Sequence, residues 1–131
     1  MGALEYFVKN LTDVPLVTTA ETVVATLTGV STPGPGYSVR LHGEAKVTTG
    51  TTTTAITLRV RRGSAITDPL VDEATAVQLE AAIGSTEDHD IMAQDDAPGE
   101  LASQTYVLTV QQTAATANGS AVNAYLRARV G

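Results

Sequence analysis

The sequence predicts an all-β protein, an antiparallel β-sandwich or jelly roll of about seven or eight strands. Three observations carry the prediction. The first is a strict period of two across Tyr37–Arg62, YSVRLHGEAKVTTGTTTTAITLRVRR. Val39, Leu41, Gly43, Ala45 and Val47 alternate with Ser38, Arg40, His42, Glu44 and Lys46. After a threonine-rich loop, Thr54, Ile56, Leu58 and Val60 alternate with Ala55, Thr57, Arg59 and Arg61. One face of each such strand packs, and the other meets solvent or a partner. The second observation is composition. Threonine and small residues dominate, aromatic residues are 4% and tryptophan is absent, which favours strands with modest side chains. The third is punctuation at short intervals, with STPGPG at 31–36 and Asn118-Gly119 as turn signals.

Taken in order, residues 1–13 read as an extended N-terminal arm, in which the adjacent Tyr6 and Phe7 fall outside any alternating pattern. Residues 14–131 read as a single sandwich domain. Pro15 interrupts the chain, and Leu16–Thr19 and Thr22–Gly29 read as strands. In the second of these, Val23, Ala25 and Leu27 alternate with Val24, Thr26 and Thr28. The strand pair of 37–62 follows, its second strand ending in Arg61 and Arg62. Asp72–Ile83 fits a short helix with Ala76, Leu79 and Ile83 at helical spacing. It also fits two short strands around Val71 and Ala76–Leu79, and the strand-rich surroundings favour strands. Glu87–Glu100 reads as a polar, acidic loop. Thr105–Thr113 reads as a strand with Tyr106, Leu108 and Val110 on one face. Ala121–Val130 closes the chain, with Val122, Ala124, Leu126, Ala128 and Val130 inward and Asn123, Tyr125, Arg127 and Arg129 outward.

The 131 residues suit one domain able to bury a core unaided. With no cysteine, neither a disulfide framework nor a zinc–thiolate site can form. A net charge of −6 argues against a nucleic-acid partner. No apolar run approaches the roughly 20 residues of a helical membrane span, so no membrane partner is expected. A core this poor in aromatic rings has few large anchors, and burial in an oligomer would add to it.

Chemistry is sparse. Asp88 and Asp90, with Glu87, His89, Asp95, Asp96 and Glu100 nearby, are candidates for calcium. The spacing lacks the helix–loop–helix calcium pattern and its glycine, so the expectation is a solvated loop and no metal. No serine sits in a nucleophile elbow, and His42 and His89 stand apart from any catalytic grouping. Hydrolysis of a glycoside on a jelly roll needs two converging carboxylates, and the predicted inward positions hold none. No cofactor and no enzymatic activity are expected. The arginines are better placed for contact: Arg59 and Arg61 on one outward face, Arg127 and Arg129 beside Tyr125 on another. Arginine clamps carboxylates bidentately, so these five are candidates for a subunit interface with the acidic segment as complement.

The blocks ETVVATLTGVSTPGPGYSVRLHGEAKVTTGTTTTAITLRVRRG and SQTYVLTVQQTAATANGSAVNAYLRARVG resemble small virion proteins of tailed bacteriophages. They look like the jelly-roll modules used as capsid decoration proteins or fibre heads, which resemble tumour-necrosis-factor-type trimers. The resemblance covers about two-thirds of the chain and lies in texture rather than in a signature motif. It implies a homotrimeric structural protein on the capsid surface of a virion, bound to the major capsid protein or another virion protein. It supplies no catalytic residues. The arm residues Tyr6, Phe7 and Val8 are then the candidates for contact with the shell. The alternative is a receptor- or glycan-binding head of a phage fibre.

Overall fold

The computed structural model describes residues 4–16, 18–32, 36–48, 54–78, 86–96, 98, 103–113 and 119–131. Nine strands form two antiparallel sheets, and no helix occurs among the described residues. They are β1 (Leu4–Asn10), β2 (Val14–Pro15), β3 (Thr22–Val30), β4 (Val39–Thr48), β5 (Thr54–Arg62), β6 (Leu70–Gln78), β7 (Thr86–Asp95), β8 (Gln104–Gln112) and β9 (Ser120–Val130). Sheet I has the order β1-β9-β4-β7, with the two-residue β2 also on β9. Sheet II has the order β3-β8-β5-β6. From β3 onward the chain passes between the sheets at every connection except β5 to β6. This is the double-sheet crossover pattern of a jelly roll.

That topology changes the reading of Tyr37–Arg62. β4 and β5 do not pair with each other; β4 pairs with β7 and β9, and β5 with β6 and β8. The threonine-rich connection crosses from one sheet to the other, and residues 49–53 of it lie outside the described residues. The alternation itself is as expected. Val39, Leu41, Ala45 and Val47 are buried from sheet I, and Ile56, Leu58 and Val60 from sheet II.

The core between the sheets is built from Val, Leu, Ile and Ala, and Tyr106 is its largest fully buried side chain. Small side chains let the sheets approach closely. At Gly43 on β4, an added Cβ would stand 2.8 Å from Leu108 Cδ1 and 3.2 Å from Ile91 Cγ2. The glycine is there because the opposite sheet's leucine fills its place.

Several expectations are corrected. Residues 4–10 are not a free arm; β1 pairs along its whole length with β9, from Leu4 opposite Val130 to Asn10 opposite Ala124. Tyr6 and Val8 pack inward against the core, which is why the alternation of this short strand is half hidden. Residues 16 and 18–19 form no strand: Leu16 N donates to Gly119 O, and Gln112 Nε2 donates to Leu16 O and Thr18 O. A side chain here takes the carbonyls that a ladder would otherwise satisfy. β6 is strand rather than helix, but it is one continuous strand where two short ones are expected; 79–85 lie outside the described residues, as does Asn118 of the proposed turn.

The segment read as an acidic loop is β7, with His89, Ile91, Ala93 and Asp95 inward and Asp88, Asp90, Met92 and Gln94 outward. In β9, Ala121 is buried in place of Val122, because a bulge intervenes. Tyr125 faces Glu44 and Val122 faces Lys46, which puts one more residue on β9 than on β4 between those pairs. Asn123 takes φ 49° there, a left-handed conformation that asparagine tolerates better than most residues.

Replacing Gly43 by alanine therefore overpacks the centre of the sandwich. The expected loss is about 1–3 kcal/mol, read as a lower denaturant midpoint with an unchanged slope.

Candidate functional site

Two outward faces collect the candidate residues, and they differ in how far each satisfies itself. On sheet II, Arg59 and Arg61 project from β5 over β8. Glu21, at the approach to β3, folds across this face and accepts from both: Arg61 Nε at 2.7 Å, Arg61 Nη2 at 2.9 Å and Arg59 Nη1 at 3.2 Å. Arg59 Nε also donates to Glu73 at 2.8 Å, and Thr109 donates its hydroxyl to Glu21 at 2.7 Å. Burial would push the Glu21 carboxyl up, but the hydrogen bonds from Arg61 and Thr109 and the charges of Arg61 and Arg59 outweigh it and hold it low. The Arg61 guanidinium is raised chiefly by its hydrogen bond to Glu21. These two interface candidates are thus occupied by acids of their own chain. Arg40 does not belong with them, since β4 lies in the other sheet.

A third arginine is used inside the sandwich. Arg62, at the end of β5, grips Asp95 of β7 with Nε at 2.7 Å and Nη2 at 2.5 Å. The Tyr106 hydroxyl of β8 donates to the same carboxylate at 2.7 Å. Asp95 is 3% exposed. Burial, followed by the Asp95 hydrogen bond, raises the Tyr106 phenol well above its ordinary range, so it stays a neutral donor. The triad joins sheet I to sheet II, with the Asp95 carboxylate engaged by both partners.

The outer face of sheet I is different. Its side chains stand in rungs across β1, β9, β4 and β7. The first rung is Glu5, Arg129, Arg40 and Gln94; the second is Phe7, Arg127, His42 and Met92; the third is Lys9, Tyr125, Glu44 and Asp90. Phe7 and Met92 are 55% and 71% exposed. The rings of Phe7 and Tyr125 lie 5.8 Å apart, His42 meets Tyr125 edge-on at 5.4 Å, and Arg127 Cζ sits 5.8 Å from the Phe7 centroid. Tyr125 donates to Glu44 at 2.8 Å, and its phenol is raised, first by burial and then by that bond. His42 Nε2 lies 3.8 Å from Asp90.

Of the expected shell contacts, the pleat therefore presents Phe7 and turns Tyr6 and Val8 inward; the Tyr6 hydroxyl accepts from Ser31 N at 3.3 Å. Tyr125, Arg127 and Arg129 share the face with Phe7, as their alternation predicts. His42, Met92 and the Asp88/Asp90 pair join them only through the register of β7 on β4. Among the described residues, no group of three or more His, Cys, Asp or Glu side chains could hold a metal. Asp88 and Asp90 are two positions apart on an edge strand, and Glu44, opposite Asp90, is held by the Tyr125 hydroxyl. His89 points away from them into the sandwich, and burial lowers its imidazole. A cleft of about 240 Å³ between β6 and β7 is lined by Ile56 and Leu58 of β5, Ala74, Thr75 and Ala76 of β6, and Asp88, His89 and Asp90 of β7.

No family model matches the chain, and no curated protein matches it. Among the solved structures similar to it are three of different origin. One is the tumour necrosis factor Eiger of S. frugiperda, at 10% identity and a TM-score of 0.49 over 98% of this chain and 92% of that one. Another comes from the disulfide-linked pili of Bacillus endospore appendages, at 16% identity and a TM-score of 0.43 over 97% of this chain and 88% of that one. The third is from infectious bursal disease virus Gx strain, at 10% identity and a TM-score of 0.43 over 92% of this chain and 33% of that one.

Two expected outcomes follow from the networks. Asp95→Ala strands Arg62 and Tyr106 and costs about 3–5 kcal/mol in a chemical denaturation series, whereas Tyr106→Phe removes one bond to the carboxylate and costs about 1.5–3 kcal/mol. Glu21→Gln destabilises the protein at neutral pH. The folded carboxyl lies below its ordinary 4.5, so its contribution is full above that value and fades as the pH falls through the folded one. The gap between wild type and variant in thermal melts should accordingly narrow on acidification below 4.5.

Proposed function

We propose that this chain is a non-enzymatic structural protein of a virion, a homotrimer that decorates the capsid surface of a tailed bacteriophage and binds its major capsid protein. The observation that carries the assembly is the outer face of sheet I. Phe7 and Met92 lie exposed in one rung with Arg127 and His42 between them, and Tyr125 stands beside them. Apolar and aromatic side chains gathered on one sheet face are the usual material of an interface core, with charge at the rim. On the opposite outer face, Arg59 and Arg61 are already bonded to Glu21 and Glu73. The virion setting rests on the resemblance of the two sequence blocks to small phage virion proteins. A structural role agrees with the use of Glu21 and Asp95 to hold arginines of their own chain.

In this reading Phe7 serves contact between copies, and Tyr6 and Val8 serve the fold. Deleting residues 1–13 would strip β1 from β9, so it tests folding rather than binding. The better variant is Phe7→Glu with Met92→Glu, which leaves the core intact. Analytical ultracentrifugation at micromolar concentration should give the mass of three chains for the wild type and one chain for the variant, with equal circular dichroism. Purified shells lacking the protein should bind the wild type in multiples of three. A wild type that sediments as one chain at every concentration removes the trimer, and shells that take up none remove the decorating role.

A further inference from the structure

The six arginines divide evenly. Arg59, Arg61 and Arg62 are each held by carboxylates of their own chain. Arg40, Arg127 and Arg129 form no ion pair among the described residues, and all three stand on the outer face of sheet I. Their placement is costly for a free protomer. Arg40 lies directly opposite Arg129 in the β4–β9 register. Like charges directly opposite on neighbouring strands destabilise a sheet. Glu5 is in register with Arg129 on the far side, yet no ion pair joins them. The other end of the face carries a like-charge pair of the opposite sign. Glu44 lies opposite Asp90, while Asp88, two positions further along β7, lies opposite Lys46. Glu44 is relieved in part by the Tyr125 hydroxyl, Asp90 by His42, and Lys46 and Lys9 are the cations nearby.

One face thus carries a basic rung and an acidic rung, four residues apart on β4, or about 13 Å at strand spacing. Between them lies the exposed row of Phe7 and Met92. We propose that copies of this chain pair head to tail through this face: the Arg40–Arg129 end of one, with Arg127, seats on the Glu44–Asp90 end of the next, with Asp88. The inference rests on the assembly reading above and specifies how that assembly is registered. The occupant is a second copy because the chain itself supplies both halves, and each half relieves a repulsion that the other cannot relieve within the protomer. Unlike ends joined head to tail make a heterologous contact, which closes into a ring when the rotation permits. In a trimer each copy gives its basic end to one neighbour and its acidic end to the other. Charge pairing of this kind fixes register and excludes the wrong one, because a half-turn of the partner sets like against like.

The test is charge reversal read by mass in solution. The variant Arg40→Glu/Arg129→Glu and the variant Asp88→Lys/Asp90→Lys should each fall from three chains to one. The chain carrying all four substitutions should return to three, since its ends are again unlike. Circular dichroism and a cooperative melt confirm that each variant is folded. The expected wild-type assembly also weakens as salt is raised, because the paired ends are at the rim. If the wild type is a trimer and either reversal leaves it so, the pairing is wrong and the assembly reading stands. If the fourfold variant is folded but remains a single chain, the pairing is wrong as well. A wild type that is a single chain throughout overturns both.

Discussion

A buried carboxylate holds the sandwich together. Asp95 reaches from β7 of sheet I to Arg62 and Tyr106 of sheet II, and with 3% exposure it is withdrawn from water. A lone buried charge would be expensive, so it requires both partners. That requirement fixes the position of three strands relative to one another. β5 must end where Arg62 can reach, β8 must present its tyrosine inward, and β7 must run to its last residue in register with β4. The core around the triad consists of Val, Leu, Ile and Ala, whose packing tolerates sliding better than a shape built on large rings. In such a core a directional contact contributes specificity that volume alone does not.

From that anchoring the contrast between the two outer faces follows. The approach to β3 lies across sheet II, where Glu21 gathers Arg59, Arg61 and Thr109. Thr109 and Val107 are fully buried although they point away from the inner core, because this strap and the arginine stems cover them. Among the described residues, sheet I has no such strap. Its aromatic and thioether side chains remain exposed, and its arginines face one another. One face is finished within the protomer; the other is finished by a neighbour in the proposed assembly.

How much of this was legible in the sequence depends on strand length and on the partner strand. β4, β5 and β8 were plain because each has at least three apolar residues at alternate positions. β7 was hidden because its inward set is His89, Ile91, Ala93 and Asp95, only two of them apolar. The Ile91-x-Ala93 step was the signal, outweighed by the acids around it. β1 was hidden by exposure, since an edge strand with Tyr6 and Val8 inward shows little contrast with Leu4 and Phe7 outward. The shared outward face of Tyr125, Arg127 and Arg129 was legible because β9 alternates cleanly after its bulge. The internal role of Arg59 and Arg61 was not legible, because Glu21 lies thirty-eight and forty residues away. Nor was the separation of β4 from β5, since alternation reports which side of a strand is buried and not which strand lies beside it.

The edges of the sheets explain why assembly would use a face at all. A free edge strand offers unpaired backbone groups to any passing strand, and proteins blunt such edges with charge, bulges or short length. All four edges here are treated in this way. β7 carries Glu87, Asp88 and Asp90, and β6 carries Asp72 and Glu73. β1 carries Glu5 and Lys9. β3, nearly free of charge, is broken by two register shifts, the second at Gly29 with φ 76°. Strand addition at any of these edges meets repulsion or a misplaced ladder, and at β6 and β7 a second acidic copy would meet its own sign. The aspartates that disfavour pairing at the β7 edge are also the acidic end of the sheet I face. The same side chains thus discourage one mode of association and complement the arginines in the other.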